Sequence, residues 1–188
     1  GHRDRVDLSK LKELGLPFWT AGGTGRPGHV EEVKKAGGVG IQVGTLFAYC
    51  RESGLMEGLK RMVIELCHKD EVDVITADRA SPTGFPFKVL QLDDTMSEQA
   101  IYSRRPRTCD LGYLRHAYRK DDGSLGWRCP SEPVADYVRK GGAPEDTVGR
   151  KCVCNGLMAS IGLGQVQRNG EVEPAMVTTG SGAMNVTD

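Results

Sequence analysis

The chain has 188 residues, of which 38% are hydrophobic and 27% charged, and 25 Lys+Arg balance 25 Asp+Glu. No run approaches the ~20 apolar residues that a membrane helix needs, and a zero net charge gives no general attraction to nucleic acid or to an anionic membrane. A mean hydropathy of −0.38 is that of an ordinary soluble globular chain.

In chain order, Val6, Leu8, Leu11 and Leu14 keep helical spacing, and Gly15 stops the helix. Leu16 to Thr20 read as a buried strand, followed by the glycine-rich turn AGGTGRPG over 21–28. Pro27 is suited to the first turn of the next helix, whose apolar face is Val30, Val33 and Ala36 and whose end is Gly37-Gly38. Val39 to Val43 read as a second buried strand, closed at once by Gly44-Thr45. Leu55, Leu59, Met62, Val63 and Leu66 mark an amphipathic helix. DVITA and KVLQL are short strands around the Pro/Gly-punctuated loop 78–87. From Ser97 onward turn signals dominate and periodicity is weak.

Strand, short helix, strand, longer helix is an α/β order with parallel strands, and its compact repeat suits a barrel wall. The expected fold is therefore the C-terminal part of a (β/α)8 TIM barrel over 1–76. An irregular α+β extension over 77–188 packs on it.

Gly23, Gly25 and Gly28 match the spacing of a dinucleotide fingerprint. Such a fingerprint also needs an acidic residue about 20 positions on, at the end of the second strand, to hold the ribose hydroxyls. Gln42-Val43-Gly44-Thr45 stand there instead. Both strands end in a glycine turn, Gly22-Gly23 and Gly44-Thr45. Adjacent parallel strands set two such turns side by side at the carboxyl edge. There bare N–H groups approach an anion with no Cβ in the way, and a following helix start adds favourable dipole. Two readings stay open on spacing alone: a single-phosphate cup, or glycines that only make tight turns.

GLPFWTAGGTGRP followed by GGVGIQVGTLFAYCRESG resembles the last two strands of the nitronate monooxygenases, formerly called 2-nitropropane dioxygenases. RASPTGFPFKVLQL, CDLGYLR, GWRCPSEPV and GRKCVCNGLMASIGLGQ resemble the C-terminal extension of the longer bacterial members, so the resemblance spans nearly the whole chain. It implies a TIM barrel with non-covalent FMN, and a phosphate held by Gly22, Gly23, Gln42, Val43, Gly44 and Thr45. The implied reaction oxidises an alkyl nitronate with O2 to a carbonyl compound and nitrite. The implied partners are thus small molecules, with neither nucleic acid nor membrane, and a homo-oligomer stays open.

The family's general base is a histidine on an earlier barrel segment. His2, His29, His68 and His116 match no such position, which leaves the catalytic residue unassigned. The chain reads as the closing end of a longer enzyme, and alone it is not expected to turn over a nitronate. A non-catalytic flavin- or phosphate-binding module and a flavin-dependent enoyl reductase are the alternatives.

The N-terminal segment has no apolar signal core. Six cysteines without one read as cytoplasmic thiols. Cys109, Cys129, Cys152 and Cys154 are spaced too irregularly for a zinc pair, C-x-C being off pattern, and are expected to be buried neutral thiols with no metal. Cys50 and Cys67 are expected in the core. The aromatic and basic run from Tyr102 to Arg119 has the composition of a single-strand clamp, but Asp110 and the neutral total favour a salt-bridged surface. Phe85 and Phe87 are either an apolar lid over the barrel mouth or plugs anchoring the extension.

Overall fold

In the computed structural model, which describes residues 6–180, 182, 183 and 186, the chain opens on helix α1 (Leu8–Glu13). The Asp7 carboxylate caps it, accepting from the Ser9 N–H at 3.1 Å and the Ser9 hydroxyl at 2.6 Å. Strand β1 (Trp19–Ala21) leads through helix α2 (His29–Lys35) to β2 (Gly40–Gln42). The two strands pair in parallel, Trp19 opposite Gly40 and Ala21 opposite Gln42.

Helix α2 ends as its glycines dictate. Gly37 has φ +97°, and its N–H reaches Lys34 O at 3.0 Å while that of Gly38 reaches Val33 O at 2.9 Å. This left-handed cap satisfies two carbonyls and turns the chain into β2. Pro27 lies outside α2, contrary to its expected place in the first turn: the N-cap is Gly28, whose φ of +78° breaks the helical path between Pro27 and His29.

Helices α3 (Thr45–Tyr49) and α4 (Glu57–His68) follow. β3 (Val74–Ala77) and β4 (Phe87–Leu90) form an antiparallel pair, and the loop 78–86 lies between them. Next come α5 (Gln99–Arg104), the hairpin of β5 (His116–Arg119) and β6 (Leu125–Arg128), α6 (Val134–Arg139), a 3-10 turn (Pro144–Thr147) and α7 (Val153–Ser160). The described residues thus build a mixed α/β fold with three two-stranded sheets. No helix among them is long and apolar enough to cross a membrane.

β4 is the hinge of the core. Successive strand side chains point to opposite faces, so Leu90 joins a cluster with Tyr49, Leu59, Val63 and Val177, while Val89 joins one with Ala80, Met96, Val153 and Met176. The segment Ala175–Val177 runs alongside: Leu90 N–H donates to Val177 O at 3.0 Å and Met96 N–H to Ala175 O at 2.8 Å. Each fully buried Leu, Val or Met contributes about 1.5–3 kcal/mol. Packing and hydrogen bonding therefore run across residue 77, from the α3–α4 region into the C-terminal segment.

β1 and β2 differ from the buried strands expected. Leu16 is 69% and Trp19 61% exposed, and Val39 is exposed as well. The two strands pair only with each other among the described residues, so no further strand flanks their outer edges, and α2 packs on β2.

Candidate functional site

The parallel register brings the carboxyl ends of β1 and β2 level, with Ala21 opposite Gln42. Gly22-Gly23 leave one strand and Val43-Gly44-Thr45 the other, at the same edge. Gly22 and Gly23 both take positive φ, +85° and +66°, so the turn needs two residues that L side chains resist. The Thr24 hydroxyl, buried, donates to Gln42 O at 2.8 Å and ties the first turn to the end of β2. Sequence reasoning left this clamp out, although it fixes the spacing of the two turns. It also commits the Gln42 carbonyl to the fold.

Gly44 is exposed, and an added Cβ would meet no atom within 4 Å, so its backbone is open to a ligand. Thr45 Oγ1 accepts from the Gly180 N–H at 3.2 Å. The hydroxyl accepts in that bond, so its own proton is still available to donate. Gly44 and Thr45 line a cleft of about 490 Å³ with Phe85, Phe87, Lys88 and the segment Thr178–Gly180. Lys88, exposed on β4, is the one charged side chain among the described residues lining it. Gly22, Gly23, Gln42 and Val43 do not line this cleft; they form the neighbouring turn and its support.

The donor set of the cleft suits a small anion: unobstructed backbone at Gly44, a hydroxyl at Thr45 and a cation at Lys88. Among the described residues no carboxylate lines it. The helix starts contribute less than expected. α2 carries Glu31 and Glu32 in its first turn, and Glu32 binds Arg26 and His29. Its own acids therefore already answer that dipole.

Phe87 is half-buried and packs against the Val89 cluster, acting as a plug, whereas Phe85 is exposed at the cleft. Neither Lys88 nor Thr178–Gly180 was singled out from the sequence. The threonine–glycine run TTGSG was the available signal for the latter.

No described histidine lines this cleft. His29 Nδ1 lies 3.0 Å from Glu32 Oε2, His68 closes α4, and His116 Nε2 accepts from Arg128 Nε at 3.2 Å; His2 lies outside the described residues. Burial pushes the Cys152 thiol up to about 12 and raises that of Cys129, so both are protonated at neutral pH. No group of three or more His, Cys, Asp or Glu among the described residues is arranged to hold a metal ion. Cys50 and Cys67 are half-buried; Cys67 packs against the Leu90 cluster as expected, with Sγ donating to Ala183 O at 2.8 Å, whereas Cys50 stays outside both clusters.

The basic and aromatic run is spent inside the fold only in its first part, whereas Arg104, Tyr113, Arg115 and Arg119 are exposed. Arg107 donates to Tyr102 Oη at 3.1 Å, Thr147 O at 2.8 Å and Pro130 O at 3.2 Å, and Arg105 pairs with Glu173.

No protein-family model, curated protein or solved structure matches the chain.

Proposed function

We propose that this chain forms the flavin-phosphate end of an FMN-dependent oxidase of alkyl nitronates. The level carboxyl ends of β1 and β2, which put Gly22-Gly23 beside Gly44-Thr45, carry this reading. On it, β1 and β2 belong to the closing strands of a (β/α)8 barrel, and the motifs that resemble nitronate monooxygenases supply the reaction class. The backbone N–H of Gly44, the Thr45 hydroxyl and Lys88 hold the phosphate, and the Gly22-Gly23 turn, tied to β2 through Thr24, flanks them. Bound FMN supplies the redox chemistry that links nitronate to O2. A single-anion cup without a ribose-binding acid selects the mononucleotide over NAD. Phe85 and Phe87 give the cleft an apolar wall that keeps water from the cofactor.

A non-catalytic flavin-binding module is the second reading, favoured by the absence of a described histidine from the cleft. The two part on one experiment. The FMN-loaded protein is mixed with propyl-2-nitronate without oxygen, and its absorbance is followed. The oxidase reading expects the flavin band to bleach, and O2 uptake with nitrite release when air is admitted. FMN that binds and stays oxidised under saturating nitronate would leave the module.

A further inference from the structure

A second cleft, of about 830 Å³, opens in the C-terminal region between the segment after α5, the start of α6 and residues 165–169. Its size is that of a small-molecule site. Glu132 lines it, is 2% exposed, and is only half used: Oε2 accepts from Lys140 Nζ at 2.7 Å, whereas Oε1 is buried with no partner. A buried carboxylate oxygen left bare is costly, because it has lost its hydration and gained no donor in return. Gln165 Oε1 and Gln167 Oε1, in the same lining, are also buried without a donor. The cleft therefore wants hydrogen-bond donors from outside the chain.

Its charge points the other way. Asp136 is answered by Arg139 at 2.7 Å and Glu132 by Lys140, and Arg107 is spent on two carbonyls and the Tyr102 hydroxyl, which leaves Arg115 and Arg168 as the guanidinium groups of the lining that are not in an ion pair and have donors to spare. Arg115 spends one amine on Cys109 O at 3.2 Å; Arg168, exposed at the rim, has no side-chain partner among the described residues. A ligand that satisfies both needs is a donor at one end and an anion at the other.

We infer that this cleft binds a small acidic amino acid or short acidic peptide with a free ammonium group, the ammonium donating to Glu132 Oε1 and the carboxylates meeting Arg115 and Arg168. A plain dianion would leave Glu132 bare, and a plain amine would leave the two arginines unanswered. The site is separate from the Gly44 cleft, sharing no lining residue with it, and it stands whether or not the flavin reading does.

Isothermal titration of the protein with the tripeptide Glu-Gly-Glu, free and N-acetylated, tests this. Saturable 1:1 binding of the free peptide is expected, weakened about tenfold or more by acetylation, and likewise by Glu132→Gln and by Arg168→Glu. Arg168 is on the rim, so Arg168→Glu keeps the fold even where Glu132→Gln does not. The inference is overturned if the folded protein fails to bind the free peptide. It is equally overturned if binding is indifferent to both acetylation and Arg168→Glu.

Discussion

Lys88 lines the candidate phosphate cleft, is exposed, and has no ion-pair partner among the described residues, so its charge is free to act on a ligand. Lys88→Glu is expected to weaken FMN binding about three- to tenfold at low salt, with no change in the urea midpoint; fluorescence titration reads the first and circular dichroism the second. Arg105 and Glu173 are the opposite case. Arg105 Nε donates to Glu173 Oε1 at 2.6 Å with side chains only 4% and 0% exposed. Burial raises the Glu173 carboxyl above the ordinary carboxylate range, and Arg105 pulls it back in part. A folded-state value above the unfolded one means that this contribution to stability is full below the ordinary range and is lost as pH rises through the raised value. Glu173→Leu strands Arg105 and should cost about 3–5 kcal/mol. Adding Arg105→Met should recover most of that and flatten this part of the pH profile. Equal urea midpoints for the single and double variants would contradict the assignment.

Among the elements, α3 depends on a residue that its own sequence does not contain. Lys60, buried on α4, donates from Nζ to Cys50 O at 3.2 Å, Arg51 O at 3.1 Å and Ser53 O at 3.2 Å, gathering the carbonyls of the turn that follows α3. Thr45 starts that helix, so fixing its far end also steadies the site. Lys60→Met should cost about 2–3 kcal/mol, seen as a lower urea midpoint and as faster amide exchange over 45–53. Three of the helices were legible from the sequence: Gly15 and Gly37-Gly38 stop α1 and α2 where the apolar spacing ends, and the face of α4 follows its leucines, whereas α3, α5, α6 and α7 are too short to show a periodic face. DVITA and KVLQL likewise became β3 and β4. The level glycine turns followed from two parallel strands. What could not be read were contacts made by distance in space alone. Gly180 reaches Thr45 across 135 residues, Lys88 turns into the cleft from β4, and Lys60 is buried although lysines usually stay in water. The exposure of Trp19 also escaped the sequence, because an apolar run looks the same whether or not a neighbouring strand covers it.

In the molecule as a whole, β1 and β2 have outer edges with no strand partner among the described residues, beside exposed Leu16, Trp19 and Phe47. Unpaired edges and open apolar surface promote association. Sedimentation velocity should show concentration-dependent self-association that Trp19→Lys reduces; a monomer at every concentration would mean that this surface is inert. The same sheet edge, joined to the Gly180 segment through Thr45, is where the central claim rests. Gly44 has φ −109° and open space around its Cβ position, so an aspartate there meets no clash and places a like charge beside the phosphate. FMN titrations of Gly44→Ala and Gly44→Asp are therefore the most direct measurement. The account predicts that Gly44→Ala stays close to the parent while Gly44→Asp loses affinity about tenfold or more; FMN bound with unchanged affinity by a folded Gly44→Asp protein would contradict it.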